Sequence, residues 1–236
     1  MGRGLFVPDA IRRPIKEIYR ISPLWKQDLD DRANKLAKYY KGLDIVKEGN
    51  TVFDVGAFDG SFSAAFSLLG CKIVAIEPDY HNLTLLAKTA MYYPNIEIVN
   101  AAVSSRNELA ELHCLNHGGN SSLSIRYGEG KALNSITVCT VTLDVIIERY
   151  GKPAYINMDI EGHEPEALEG LSYQIPAISV EMTFRYGKET PSRAMAQLQR
   201  LGFSRFLLND AEYGAEEAIR TMERNKDRIF DVLARS

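Results

Sequence analysis

Two hydrophobic periods alternate along this chain. Short apolar runs rich in β-branched residues recur between longer stretches with helical spacing. Val52, Phe53 and Val55 form one run and residues 73–76 the next, with a helix-like segment between them. Helical spacing returns over 82–91 and breaks at Tyr92, Tyr93, Pro94 and Asn95. Residues 96–103 predict a third strand ending in Ala101 and Ala102. Strands follow over 109–115 and 135–143, predicted to pair beside the main sheet, with a loop over 117–122. A helix over 143–150 leads to a buried-type strand from Tyr155, then to a polar loop and a helix over 165–171. A strand at 178–182, an amphipathic helix at 192–201 closed by Gly202 and a strand at 203–208 complete the alternation. Strands alternating with helices predict an α/β fold, a mostly parallel sheet with helices on both faces.

The ends read as helical. Asp9 is placed to cap a short helix running to Arg20. Ser22 and Pro23 open a stronger helix that carries Leu24, Trp25, Leu29, Ala33, Leu36, Ala37 and Tyr40, and Gly42 stops it. This helix is read as a cap over the cofactor side. Residues 215–233 read as a charged C-terminal helix with a thin apolar stripe, either a docking or homodimer surface or a solvated helix.

Composition narrows the class. The 236 residues are 45% hydrophobic and 25% charged, which is ordinary globular material with enough chain for a substantial core. A net charge of −3 argues against a general nucleic-acid binder. Cys71, Cys114 and Cys139 form no CxxC pair, and Cys71 and Cys139 lie in apolar runs and read as small core residues. That usage points to a reducing, cytoplasmic compartment. No stretch is apolar for long enough to predict a membrane span, and the N-terminus has no apolar signal region.

The chemistry concentrates in two loops. The first contains Asp54, Gly56, Ala57, Phe58, Gly60 and Ser61 between the first strand and its helix. Glycines at 56 and 60 allow a sharp turn and close approach to a ligand, and the helix N-terminus points free N–H groups at it. Glu77 and Pro78 end the next strand, where a carboxylate accepts hydrogen bonds from ribose hydroxyls. Phe58 stands where a dinucleotide motif has its middle glycine. Asp54 would repel a diphosphate and attract a cationic sulfonium, which favours S-adenosylmethionine over a nicotinamide dinucleotide. The alternative is a plain strand–turn–helix connection capped by Asp54. Ala101 and Ala102 either leave room for an adenine ring or pack in the core. Ser121 and Ser122 either touch ligand or sit in a surface loop. Tyr39, Tyr40, Phe184 and Tyr186 either line an acceptor pocket or pack internally.

The second loop carries Asp159, Glu161, His163 and Glu164 at the carboxyl end of a strand, where open α/β sheets hold ligands. His163 is the best general-base candidate and Asp159 the next. Alternatively His163 only caps the following helix. A divalent metal held by Asp159, Glu164 and Glu181 is a further alternative, although no ligand spacing fixes a metal geometry.

Residues 52–60, Glu77 and Pro78, residues 142–144 with Leu143 and Asp144, and residues 159–164 together resemble the FkbM family of S-adenosylmethionine-dependent methyltransferases. The resemblance covers roughly residues 45–185. It implies a class I, Rossmann-like methyltransferase fold and O-methylation of a hydroxyl on a sugar or small natural product. Asn157 departs from the pattern, because the family commonly has Lys two residues before the aspartate of its Asp-x-Glu-Gly motif. The expected organisation is a helical cap over 1–44, a methyltransferase domain over 45–210 and a C-terminal helix over 211–236. An NAD(P)-dependent oxidoreductase and a non-catalytic cofactor-binding module are the rival readings.

Overall fold

The computed structural model describes residues 23–114, 121–123 and 134–235. The expected helix ending at Arg20 and most of the 117–122 loop lie outside the described residues. Helix α1 (Pro23–Leu43) leads into strand β1 (Thr51–Val55), α2 (Ser61–Leu68), β2 (Lys72–Ile76), α3 (Tyr80–Tyr92) and β3 (Ile96–Val99). Next come β4 (Ala102–Val103), β5 (Leu109–Cys114), β6 (Asn134–Val141), α4 (Leu143–Tyr150), β7 (Tyr155–Met158), α5 (Glu164–Glu169) and β8 (Ala177–Met182). A 3-10 turn (Phe184–Tyr186), α6 (Thr190–Arg200), β9 (Arg205–Leu208), β10 (Ala211–Tyr213), α7 (Ala215–Glu223) and β11 (Phe230–Arg235) finish the chain.

The main sheet has eight strands in the order β10-β9-β11-β8-β7-β1-β2-β3. Neighbours from β8 through β7, β1 and β2 to β3 pair in parallel, whereas β11 runs antiparallel between β8 and β9. This is a Rossmann-like α/β sheet with two reversed strands, β11 and the edge strand β10, which pairs antiparallel with β9. The alternation of β1 explains its two faces. Val52 joins Phe66, Ile73 and Leu86 in a core under α2 and α3. Phe53 and Val55 join Ile147, Leu168, Met195 and Met222 in the larger core under α4 to α7. A smaller sheet, β4-β6-β5, stands beside the main one.

Three expectations change. Residues 96–103 are not one strand: β3 leaves the main sheet at Asn100, whose amide donates to the carbonyls of Glu77 (3.0 Å) and Pro78 (3.2 Å), and β4 then pairs with β6. The C-terminal segment is helical only to Glu223, and β11 then enters the main sheet, burying Phe230, Val232, Leu233 and Ala234. Pairing on both edges with β8 and β9 outweighs the helical spacing of its apolar residues. Cys139 is exposed on β6, while Cys71 and Cys114 are buried.

Helix α1 buries Trp25, Leu29 and Ala33 against Ala64, Leu85 and Tyr93, while Leu24 stays exposed. Tyr40 packs on Phe62, Phe66 and Tyr155 and is core rather than pocket wall. No helix among the described residues is long and apolar enough to cross a membrane.

Candidate active site

Chain order reverses direction between β1 and β7, and the loops leaving these two strands open a crevice at that point. Their backbones nearly touch. Asp159 donates its N–H to the Val55 carbonyl (3.0 Å), and Gly56 and Ala57 donate to the Ile76 carbonyl (2.9 and 3.1 Å). Gly56 has φ +83°, and a Cβ there would lie 1.9 Å from the Asp159 carbonyl oxygen. Only glycine fits that crossing. Phe58 also takes a left-handed backbone, at φ +50°.

The crevice is a narrow slot with ≈ 520 Å³ of empty space counted out to its open mouth. One end is walled by Phe58, Glu77, Pro78, Asn82, Ala101 and Ala102. Glu77 is buried. Its Oε2 accepts the Phe58 N–H (2.9 Å), and its Oε1 accepts the Asp79 N–H (2.8 Å) and the Asn82 amide (3.3 Å). Burial pushes its carboxyl up to about 7 against these bonds. The small side chains of Ala101 and Ala102 leave a flat apolar wall.

The other end is acidic and carries the histidine. Asp159, Ile160, Glu161 and His163 line it. Asp159 Oδ1 is shielded from solvent and has no hydrogen-bond partner. Burial, then the neighbouring Glu181 and Glu161 charges, push this carboxyl up to about 8. Glu161 holds φ +58°, a strained conformation for a non-glycine residue, and Tyr186 hydrogen-bonds its carboxylate as well as Glu181 Oε1 (3.3 Å for the latter). His163 Nε2 lies 3.0 Å from Ser104 Oγ, and its Nδ1 lies 3.8 Å from Glu166, which Arg193 pairs at 2.9 Å. Burial holds the imidazole below its ordinary value, so its neutral form is favoured.

Several expected site residues stand behind the wall. The Asp54 carboxylate is buried under α2, accepting from Ser63 Oγ (2.6 Å) and the Asn157 amide (3.1 Å). Its charge faces those partners rather than the slot, so the electrostatic argument from Asp54 gives way to a structural one. Asn157, the departure from the family pattern, is thus the cross-strand partner of Asp54 in the β1–β7 register. Ala57 packs in the core. Gly60 and Ser61 begin α2 behind Phe58. The Glu164 carboxylate turns back to accept the N–H groups of Ile160 (3.0 Å) and Gly162 (3.1 Å), and burial pushes it up to about 8. It braces the loop that carries His163. The set Asp159, Glu164 and Glu181 does not converge: among the described residues no three His, Cys, Asp or Glu side chains are grouped to hold a metal ion.

Sequence reasoning undervalued one wall. Ser121, Ser122 and Leu123 line the slot and bridge its two ends. Ser121 Oγ donates to Asp79 Oδ2 (2.7 Å) beyond β2, and Ser122 Oγ donates to the Glu161 carbonyl (2.8 Å) beyond β7. Ser104 and Asn82 were not singled out either. Both are ordinary polar residues: the partner of Ser104, His163, comes from a distant element, while that of Asn82 is Glu77 at the end of the preceding strand.

A parallel sheet with a glycine turn, a buried carboxylate and a histidine at one crevice has the arrangement in which open α/β folds hold nucleotide-like ligands. The model of the methyltransferase FkbM domain matches residues 54–205, well over half of the chain, and the chain belongs to that family. Membership supports a methyltransferase dependent on S-adenosylmethionine. No curated protein matches the chain significantly. Similar solved structures include a precorrin-6y C5,15-methyltransferase from Geobacter metallireducens (11% identity, 81% of this chain and 83% of that one, TM-score 0.46). They also include fibrillarin from Aeropyrum pernix with natively bound S-adenosyl-L-methionine (13%, 84% and 72%, TM-score 0.47). An S-adenosylmethionine-dependent methyltransferase from Aquifex aeolicus is similar as well (14%, 91% and 98%, TM-score 0.44).

Proposed function

We propose that this protein transfers the methyl group of S-adenosylmethionine to a hydroxyl oxygen of a sugar or small natural product. The observation that carries the reading is the slot itself, with Glu77 at one end and His163 beside Asp159 at the other. The residues fit the cofactor. Glu77 Oε2 accepts one hydrogen bond and has a further lone pair for a ribose hydroxyl. Ala101 and Ala102 suit a flat ring. Asp159 Oδ1, shielded and without a partner, suits a cationic group.

When bound, S-adenosylmethionine supplies an activated methyl group and a neutral thioether leaving group. The chain aligns the acceptor and removes its proton. His163 is the proton acceptor through Nε2, the nitrogen beside Ser104 Oγ, and Glu166 faces its other nitrogen. Glu164 fixes the backbone of that loop, and Glu161 with Tyr186 borders the acceptor end. No metal is needed for this displacement.

Calorimetric titration with S-adenosylhomocysteine and with NAD(P), followed by transfer of labelled methyl to a panel of hydroxyl compounds, tests the proposal. S-adenosylhomocysteine binding with transfer to oxygen is expected. Binding of NAD(P) alone would establish the oxidoreductase rival. Cofactor binding with no transfer across a broad panel would establish a non-catalytic module.

A further inference from the structure

Arg32 lies on α1, outside the residues that match the FkbM domain, and does not line the slot. Its guanidinium nevertheless reaches the cofactor loop. Nη2 pairs with Asp59 Oδ2 at 2.7 Å and Nη1 donates to Ser61 Oγ at 2.5 Å, while Nε faces Asp28 at 3.2 Å. Ser61 closes the ring, donating its hydroxyl (2.6 Å) and its N–H (3.1 Å) to Asp59 Oδ1. Helix α3 holds the same residue from the other side, with Thr89 Oγ1 donating to the Asp59 carbonyl at 2.5 Å.

This anchorage falls where the backbone needs it. Gly56, Phe58 and Gly60 all have positive φ, and Phe58 does so against its own Cβ. Phe58 lines the slot, and its N–H fixes Glu77. Asp59 is the next residue and is nearly buried, with side-chain exposure of 7% against 39% for Arg32. A carboxyl group so placed needs a hydrogen-bond partner, and the Arg32 guanidinium supplies one at 2.7 Å.

We propose that Arg32 is a positioning residue for cofactor binding. Through Asp59 and Ser61 it keeps Phe58, and through Phe58 it keeps Glu77, in the arrangement that receives the nucleoside. The inference rests on the reading of the slot as the S-adenosylmethionine site. A bland tether of α1 to the domain predicts loss of stability without loss of affinity in the folded variant.

The test uses the full chain. Arg32→Met is expected to melt lower than wild type and, in the folded protein, to bind S-adenosylhomocysteine about tenfold more weakly, with partial recovery of both in Arg32→Lys. Asp59→Asn is expected to weaken binding similarly, and the double variant to be no weaker than the worse single one. Hydrogen exchange, which needs no ligand, should speed up at residues 58–61 of Arg32→Met and not in the strands. Wild-type protein that fails to bind S-adenosylhomocysteine refutes the cofactor assignment, and the exchange measurement then still judges Arg32. Affinity within twofold of wild type in folded Arg32→Met, or unchanged exchange at the loop, overturns the proposal. Should Arg32→Met not fold, Arg32→Lys and Asp59→Asn decide by the same criteria.

Discussion

His163 combines three properties that seldom coincide in a purely structural histidine: it lines the slot, burial holds it neutral, and a hydroxyl engages its Nε2. His163→Ala should leave S-adenosylhomocysteine affinity nearly unchanged and lower turnover at least ~100-fold, the usual scale of general-base loss. Normal turnover in that variant would falsify the role. Because the folded imidazole titrates below its ordinary value, the acid limb of the rate profile should fall below pH ~6.5. Asp159 titrates in the opposite sense. Raised to about 8, it is largely protonated at neutrality, and a nearby sulfonium favours its ionised form. Titrations at pH 7 in buffers of different ionisation enthalpy should show more proton release with S-adenosylmethionine than with its uncharged-sulfur product. Asp159→Asn should erase that difference, and equal release from both ligands in the wild type would sink the argument. The placement of the second loop was legible because Asp159, Glu161 and His163 follow an apolar strand, and all three line the slot. Asp54 was misjudged because sequence cannot tell which face of β1 a residue takes: position 54 shares the Val52 face, so its carboxylate meets Ser63.

At the scale of elements, the β1–α2 turn makes the sharpest demand. The position 56 side chain would run into the Asp159 backbone, 1.9 Å from its oxygen and 2.9 Å from its carbonyl carbon, at a φ that favours glycine. Gly56→Ala must therefore push apart the two loops that form the slot. We expect loss of measurable cofactor binding and destabilisation of about 3 kcal/mol or more, by clash and backbone strain together. Chemical denaturation reads the second effect, and a variant as stable as wild type would refute the packing argument. Most of the described elements up to residue 208 were legible because strand and helix periods differ clearly there. The C-terminal strand was not. Residues 224–229 contain no glycine or proline to announce a break after α7, and Ile229, Phe230 and Leu233 continue a helical stripe. What makes β11 a strand is its non-local pairing, with Val232 opposite Val180 and Leu233 opposite both Ser179 and Leu207. Val232→Asp, at a fully buried position between two strands, should prevent folding of the whole domain, judged by loss of cooperative thermal unfolding.

For the whole molecule, the buried carboxylates in and behind the slot impose a stability that depends on pH in an unusual direction. Carboxylates paired in a native state commonly lose stability on acidification. Here burial raises Glu77 and Glu181 to about 7 and Asp159 and Glu164 to about 8. Between pH ~4.5 and ~8 the folded chain therefore holds more protons than the unfolded one, whose carboxyls titrate near 4. Their contribution is fully present below the unfolded values and is lost as pH rises through 7 and 8. His163, with its depressed value, works the other way only below pH ~6.5, one group against four. The ligand-free protein should thus melt lower at pH 9 than at pH 6, read as the thermal midpoint at the two pH values. Glu164→Gln separates this linkage from general alkaline weakening. Glutamine keeps an oxygen for the Ile160 and Gly162 N–H groups but has no proton to lose. Its melting temperature should fall less steeply over the same range and should exceed that of wild type at pH 9. A variant that tracks the wild-type curve would show that Glu164 is already ionised at neutrality, held by its two backbone donors rather than by a proton.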